Sequence, residues 1–194
     1  MTVVNVTISS DTGNFEVLVM NTREDLLHDF QFFHGMAKAN SPEDPKERFL
    51  HQRFLRAALL TLFAYAEAVV NGWVYSLLES RNFESLFKRL QWDCLEKKID
   101  FLNEASTAEV ARPKVNEAKS VRNLFVHFTP GKDADAFDKL TLSVVENAAE
   151  DLERWMTEME LKLGFMRHPC SEDLMIGFSE IGEKINEATT DPTA

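Results

Sequence analysis

At 194 residues the chain is sized for one ordinary domain, or one domain with a small appendage. An apolar fraction of 44%, with 15 Phe and 3 Trp, supports a buried core, and 27% charged residues with only 7 Gly favour folded, mostly helical structure. A formal net charge of -11 argues against coating duplex DNA or an anionic membrane by bulk charge, so neither is expected as a partner.

Residues 1–20 read as a β-hairpin appendage. Thr2 to Ile8 alternates and is rich in β-branched residues, Asp11-Thr12-Gly13-Asn14 is a turn, and Phe15 to Met20 is a second strand-like run. An isolated hairpin is marginal in water, so this one is expected to dock on the helices or extend a partner's sheet. Asn21 or Thr22 caps a helix that carries Glu24 and Asp25 in its first turn and runs to about Lys38. After the loop marked by Asn40-Ser41-Pro42 and Pro45, a long helix runs from Glu47 to about Ser80, with a bend possible at Gly72. A helix or helix pair spans Phe83 to Ala105. The next helix starts with Pro113 in its first turn and runs to Phe128, where Thr129-Pro130-Gly131 ends it. Another long amphipathic helix extends from about Asp138 to Leu163 and stops at Gly164. A short one follows over Glu172 to Ala188, and Thr189 to Ala194 reads as a disordered tail. The expected fold class is mainly α, with the helical domain over residues 21–188 forming a bundle.

The helix from Pro113 to Phe128 carries the most chemistry. At about 100° per residue, Val121, Leu124, Phe125 and Phe128 form one apolar stripe. The opposite face then holds Lys119, Arg122, Asn123, Val126 and His127. On a continuous helix Arg122 and His127 stand roughly 140° apart around the axis and about 7.5 Å along it. A guanidinium grips phosphate through a planar fork that Lys does not reproduce, and imidazole exchanges protons near neutral pH. With an amide beside them, these residues suit the gripping and cutting of a phosphodiester without a metal.

Arg122, Asn123 and His127 also resemble a known signature, the compact Arg-Asn-x-x-x-His form found in HEPN domains (higher eukaryotes and prokaryotes nucleotide-binding). The resemblance covers this motif and the surrounding helical layout from about Glu47 to Gly164, not the N-terminal stretch. It implies an up-and-down HEPN-like bundle acting as an endoribonuclease in toxin or antiviral-defence systems. It also implies a homodimer in which two motif helices share one cleft, with Val126 suited to the interface. Arg122, Asn123 and His127 are then catalytic, RNA is the substrate, and an antitoxin or regulatory protein is a possible partner. Some members place an acid beside the Arg, a role Glu67 on the long helix could fill. Some toxins of the family carry a Tyr two residues after the His, modified by a nucleotidyltransferase antitoxin. This chain has Thr129 there, so that route of control does not carry over.

Other features are consistent with this reading. Between Arg81 and Arg122 bases outnumber acids by about two, whereas the chain from Asp133 onward is net negative by about ten. Lys119, Lys97 and Lys98 are candidate RNA contacts, with Lys88 and Arg89 beside them. Cys94 and Cys170 are far apart and suggest no disulfide, and the N-terminus lacks the order of a signal peptide. The run from Ala57 to Leu78 is apolar enough to raise a membrane question, but Glu67, Asn71 and Gly72 within it favour a buried core helix in a cytoplasmic protein. His168-Pro169-Cys170 lacks a second ligand pair, so neither metal nor cofactor is expected. The rival is a non-catalytic HEPN-like dimer that binds a nucleotide or a protein. A plain structural bundle would be favoured by an Arg122 buried and salt-bridged within one subunit.

Overall fold

The apolar run that raises the membrane question sets the architecture. The computed structural model describes residues 3–10, 13–20, 22–79, 84–106, 110–127 and 136–164. Its elements in chain order are β1 (Val3–Ser10), β2 (Gly13–Met20), α1 (Thr22–Ala39), α2 (Arg48–Glu79), α3 (Glu84–Leu90), α4 (Leu95–Ala105), α5 (Asn116–Val126), α6 (Ala136–Lys139) and α7 (Leu142–Leu163). The molecule is a mainly helical bundle around α2, which packs most extensively on α1 and also meets α3, α4, α5 and α7. β1 and β2 pair antiparallel, from Val3 opposite Met20 to Ser10 opposite Gly13.

α2 is long and apolar enough to cross a membrane by length and composition, with a mean hydropathy of 1.4 over its most apolar stretch. Much of that surface is used within the chain: Leu55, Leu59, Val69, Val70 and Trp73 are fully buried. Trp73 meets Trp155 of α7 at 6.0 Å between ring centroids. The Trp155 indole N–H donates to Asn103 Oδ1 on α4 at 3.1 Å, which ties α2, α4 and α7 at one level. α1 runs antiparallel to α2. The buried His51 meets the Ala37 carbonyl (2.8 Å), Phe33 stacks near Phe54, and Arg23 lies against Gly72.

Local signals account for the ends of α1 and α7. α1 carries Glu24 and Asp25 in its first turn and Lys38 in its last, matching the helix dipole. Gly164 takes a left-handed φ of 68° at the end of α7, a conformation open to glycine at little cost. Phe83 to Ala105 resolves into a helix pair, with α3 and α4 separated by residues 91–94.

Three expectations need correction. Pro113 is not in the first turn of the motif helix, which begins at Asn116 after Val115. The Pro113 ring is buried, and the Lys114 N–H donates to Asp151 Oδ2 of α7 at 3.1 Å, holding this segment outside the helix. The helix drawn from Asp138 to Leu163 breaks at Leu140. Thr141 is extended there (φ -116°, ψ 159°), and its Oγ1 accepts the Val144 N–H at 3.3 Å, so α7 has its own N-cap. α5 ends at Val126, with His127 as its C-cap rather than a helical residue. Phe128, the Thr129-Pro130-Gly131 stop, Asp11 and Thr12 of the turn, His168-Pro169-Cys170, the Glu172–Ala188 helix and the Thr189–Ala194 tail lie outside the described residues.

Candidate functional site

α5 buries Ala118 and Val121, and Phe125 meets Phe137 edge-on at 5.1 Å. That packing turns Arg122 toward α2 rather than to open solvent. Its guanidinium carbon lies 5.1 Å from the centre of the Phe63 ring, a cation–π contact with a buried aromatic. Its Nε and Nη2 both donate to Asn123 Oδ1, at 3.2 and 2.7 Å. Arg122 is therefore half-buried and held on two sides, and its partner is an amide. Among the described residues no carboxylate pairs with it.

Asn123 also connects to the third motif residue. Its backbone carbonyl accepts the His127 N–H at 2.9 Å, closing the last turn of α5. The His127 backbone then leaves the helix (φ -117°, ψ 36°), and the residue is exposed beside Val126, itself 54% exposed. Asn123 thus touches the Arg122 guanidinium through its side chain, while its link to His127 is the ordinary main-chain bond of a last helical turn. The guanidinium has five N–H donors, and Asn123 takes two along the Nε–Nη2 edge. The Nη1 end remains suited to an anion.

The supporting residues are arranged differently from expectation. Glu67 does not pair with Arg122. Its Oε1 accepts from Lys98 Nζ at 3.0 Å, and the same ammonium donates to the Gln91 carbonyl at 3.0 Å. Lys98 is fully buried, so it is no RNA contact. It is a buried cation that links α2, α4 and the α3–α4 turn. Lys119, expected on an open face, is paired with Glu96 of α4. Burial works against the charge on Glu96, but hydrogen bonds from Lys119 and the Glu96 backbone amide, with the adjacent ammonium and the Cys94 side chain, outweigh it. The carboxyl is held below the usual carboxylate range. Of the three lysines, Lys97 alone is exposed. Its hydrogen bond to Asp93 (2.9 Å) and the charge of that carboxylate hold its ammonium above the usual lysine range. Lys88 and Arg89 are exposed as well.

Two residues of the site escaped the sequence reading. Phe63 carries no signal separating an aromatic that stacks a guanidinium from any other core Phe of α2. Glu96 stands in the first turn of α4, where an acid is already explained by the helix dipole. The motif lines neither of two described clefts. One, of about 760 Å³, lies between the end of α1 and the start of α2, around Lys38, Arg48 and His51. The other, of about 460 Å³, lies at the start of α5, where Arg112 pairs with Asp100 at 2.7 Å. Among the described residues no three His, Cys, Asp or Glu side chains gather as a metal-ligand set. No protein-family model, curated protein or solved structure matches the chain.

Proposed function

We propose that this chain is a metal-independent endoribonuclease of the HEPN type, with Arg122, Asn123 and His127 as its working residues. The observation that carries the reading is the half-buried Arg122 guanidinium, held along one edge by Asn123 with its Nη1 end left over, one turn before the exposed His127. A 2′-hydroxyl attacks the adjacent phosphorus, the bond to the 5′-oxygen breaks, and the products end in a 2′,3′-cyclic phosphate and a 5′-hydroxyl. His127 serves as general acid or base, and Arg122 stabilises the charge that builds on the phosphorane. Asn123 orients Arg122. The exposed Lys97, Lys88 and Arg89 are the RNA contacts that remain. An HEPN-like up-and-down layout with paired N-terminal strands as an appendage, a homodimer, a toxin or defence role in the cytoplasm and an antitoxin or regulatory partner belong to the same reading. The HEPN-like layout, the homodimer, the toxin or defence role and the antitoxin or regulatory partner rest on the resemblance alone.

A second reading, a non-catalytic HEPN-like module that binds a nucleotide or a protein, is favoured by one detail. Asn123 already occupies the Nε–Nη2 edge, the side on which arginine makes one of its two bidentate contacts to phosphate. Cleavage of a mixed single-stranded RNA in EDTA separates the two. Wild type is expected to release cyclic-phosphate ends, and His127→Ala or Arg122→Ala to lower the rate by about 10²–10⁴ and 10²–10³ respectively. Well-folded wild type that leaves every substrate intact while binding nucleotide would decide for the module.

A further inference from the structure

Trp92 stands in the turn between α3 and α4 with its indole 85% exposed, whereas Trp73 and Trp155 are buried. Among the described residues no aromatic stacks on this ring and no cation lies over it. The turn that presents it is firmly held. The fully buried Lys98 ammonium donates to the Gln91 carbonyl at 3.0 Å, the Asp93 N–H donates to the Leu90 carbonyl at 3.0 Å, and Lys97 pairs with Asp93 at 2.9 Å. A large ring on a fixed turn loses little freedom when a ligand covers it.

The surroundings of the ring are cationic. Lys88 and Arg89, four and three residues before it, are exposed, and among the described residues neither pairs with a carboxylate. The nearby acids Asp93 and Glu96 are each taken by a lysine, Lys97 and Lys119. Among the described side chains from Glu84 to Ser106, Trp92 is the one exposed large hydrophobic.

We propose that Trp92 is a stacking platform for a base of single-stranded RNA, with Lys88 and Arg89 holding the flanking phosphates. A protein partner or a membrane would be met by a wider apolar patch, which a lone ring does not offer. A flat aromatic face beside unpaired cations suits a planar base on a phosphate chain, and a duplex, whose bases already stack on each other, cannot use it. The choice of RNA rests on the ribonuclease reading. The platform and the motif are also tied to one face of α2. Phe63, under Arg122, and Glu67, which holds Lys98, are one helical turn apart, about 6 Å along the axis. Lys98 and Gln91 therefore fix the Trp92 turn close to the level of the guanidinium. α5 makes the same link from its side, because Lys119, one turn before Arg122, is paired with Glu96 in the first turn of α4. A strand gripped at Arg122 and running toward this turn lays a neighbouring base on Trp92, which sets where along the RNA the cut falls.

Fluorescence of the full chain, titrated with a single-stranded oligonucleotide 2′-O-methylated throughout, tests this. The probe lacks the attacking hydroxyl and so stays intact. Because Trp73 and Trp155 are buried, a change in emission on binding belongs to Trp92. Saturable quenching is expected, and it should be absent from Trp92→Phe. Trp92→Ala should weaken binding of a labelled oligonucleotide, followed by anisotropy, by about 5- to 150-fold with unchanged circular dichroism. Trp92→Phe, which keeps an aromatic face, should recover most of that loss. In cleavage of unmodified RNA the loss should fall on KM and spare kcat. Equal binding by wild type and Trp92→Ala would overturn the platform, as would a duplex that quenches as strongly as the single strand. So would phosphatidylserine vesicles that shift the emission where the oligonucleotide does not. Quenching and Trp92-dependent binding in a wild type that leaves unmodified RNA intact would sink the ribonuclease reading and leave the platform standing. RNA cleavage by Trp92→Ala with wild-type KM would do the reverse.

Discussion

Arg122 does two jobs at once: its flat face rests on Phe63, and one edge is held by Asn123. Both depend on a planar guanidinium. Arg122→Lys keeps the charge but loses the fork and most of the ring contact. Its RNA cleavage is expected to fall about as far as that of Arg122→Ala, by roughly 10²-fold or more. Lysine activity near wild type would mean that only the charge is used. Glu96 offers a separate test. Its carboxyl lies below the ordinary range in the folded chain, so the stability it contributes is complete above the unfolded pKa and is lost as pH falls through the folded one. Glu96→Gln should thus be destabilising in urea melts near neutral pH, and its deficit should vanish in acid below both values. A deficit that persists there would mean the Lys119 pair is not its source.

At the scale of elements, α2 shows why a mid-helix glycine can be kept. A Cβ on Gly72 would come within 3.0 Å of the Arg23 guanidinium of α1. That group is the far end of a flexible side chain, so it can swing aside. Gly72→Ala is then expected to stabilise the chain by about 0.5–1 kcal/mol through helix propensity, measured by thermal melting. A loss of stability would show that Arg23 cannot yield. Both ends of α1 and α2 and the C-terminal end of α7 are legible in the sequence to within a residue or two, because caps and breakers such as Gly164 act on their immediate neighbours. The break at Leu140 is not legible in the sequence, although Thr141 is a good capping residue. Nothing in apolar spacing distinguishes a helix that restarts from one that continues. Pro113 misled for a different reason: proline suits a first helical turn, but here its ring is buried before the helix begins.

For the molecule as a whole, the Lys98 ammonium is a test of how the bundle is joined. It is fully buried between a carboxylate of α2 and a carbonyl after α3, whereas its partner Glu67 is 43% exposed. Losing the two partners therefore has unequal effects. Glu67→Ala strands a buried cation and is expected to cost about 2–3 kcal/mol, below the full value for a buried pair because Glu67 is half in water. Lys98→Met removes the cation with similar volume and should cost less. The reverse order in urea unfolding would mean that Lys98 is held by packing alone.

The sequence by itself determined that the chain is helical, where most helices run, and that Arg122 and Asn123 lie in the last turns of the helix that His127 ends. Those properties follow from neighbours within one or two turns. Tertiary structure decided the partners. Glu67 meets Lys98 across 31 residues of sequence, Lys119 meets Glu96, and Arg122 turns onto Phe63. Helical periodicity says which residues share a face but not which helix arrives to cover it. Sequence alone makes Lys98 a surface cation, because its burial depends on a carboxylate and a carbonyl that only the packing of α2, α3 and α4 brings to one point.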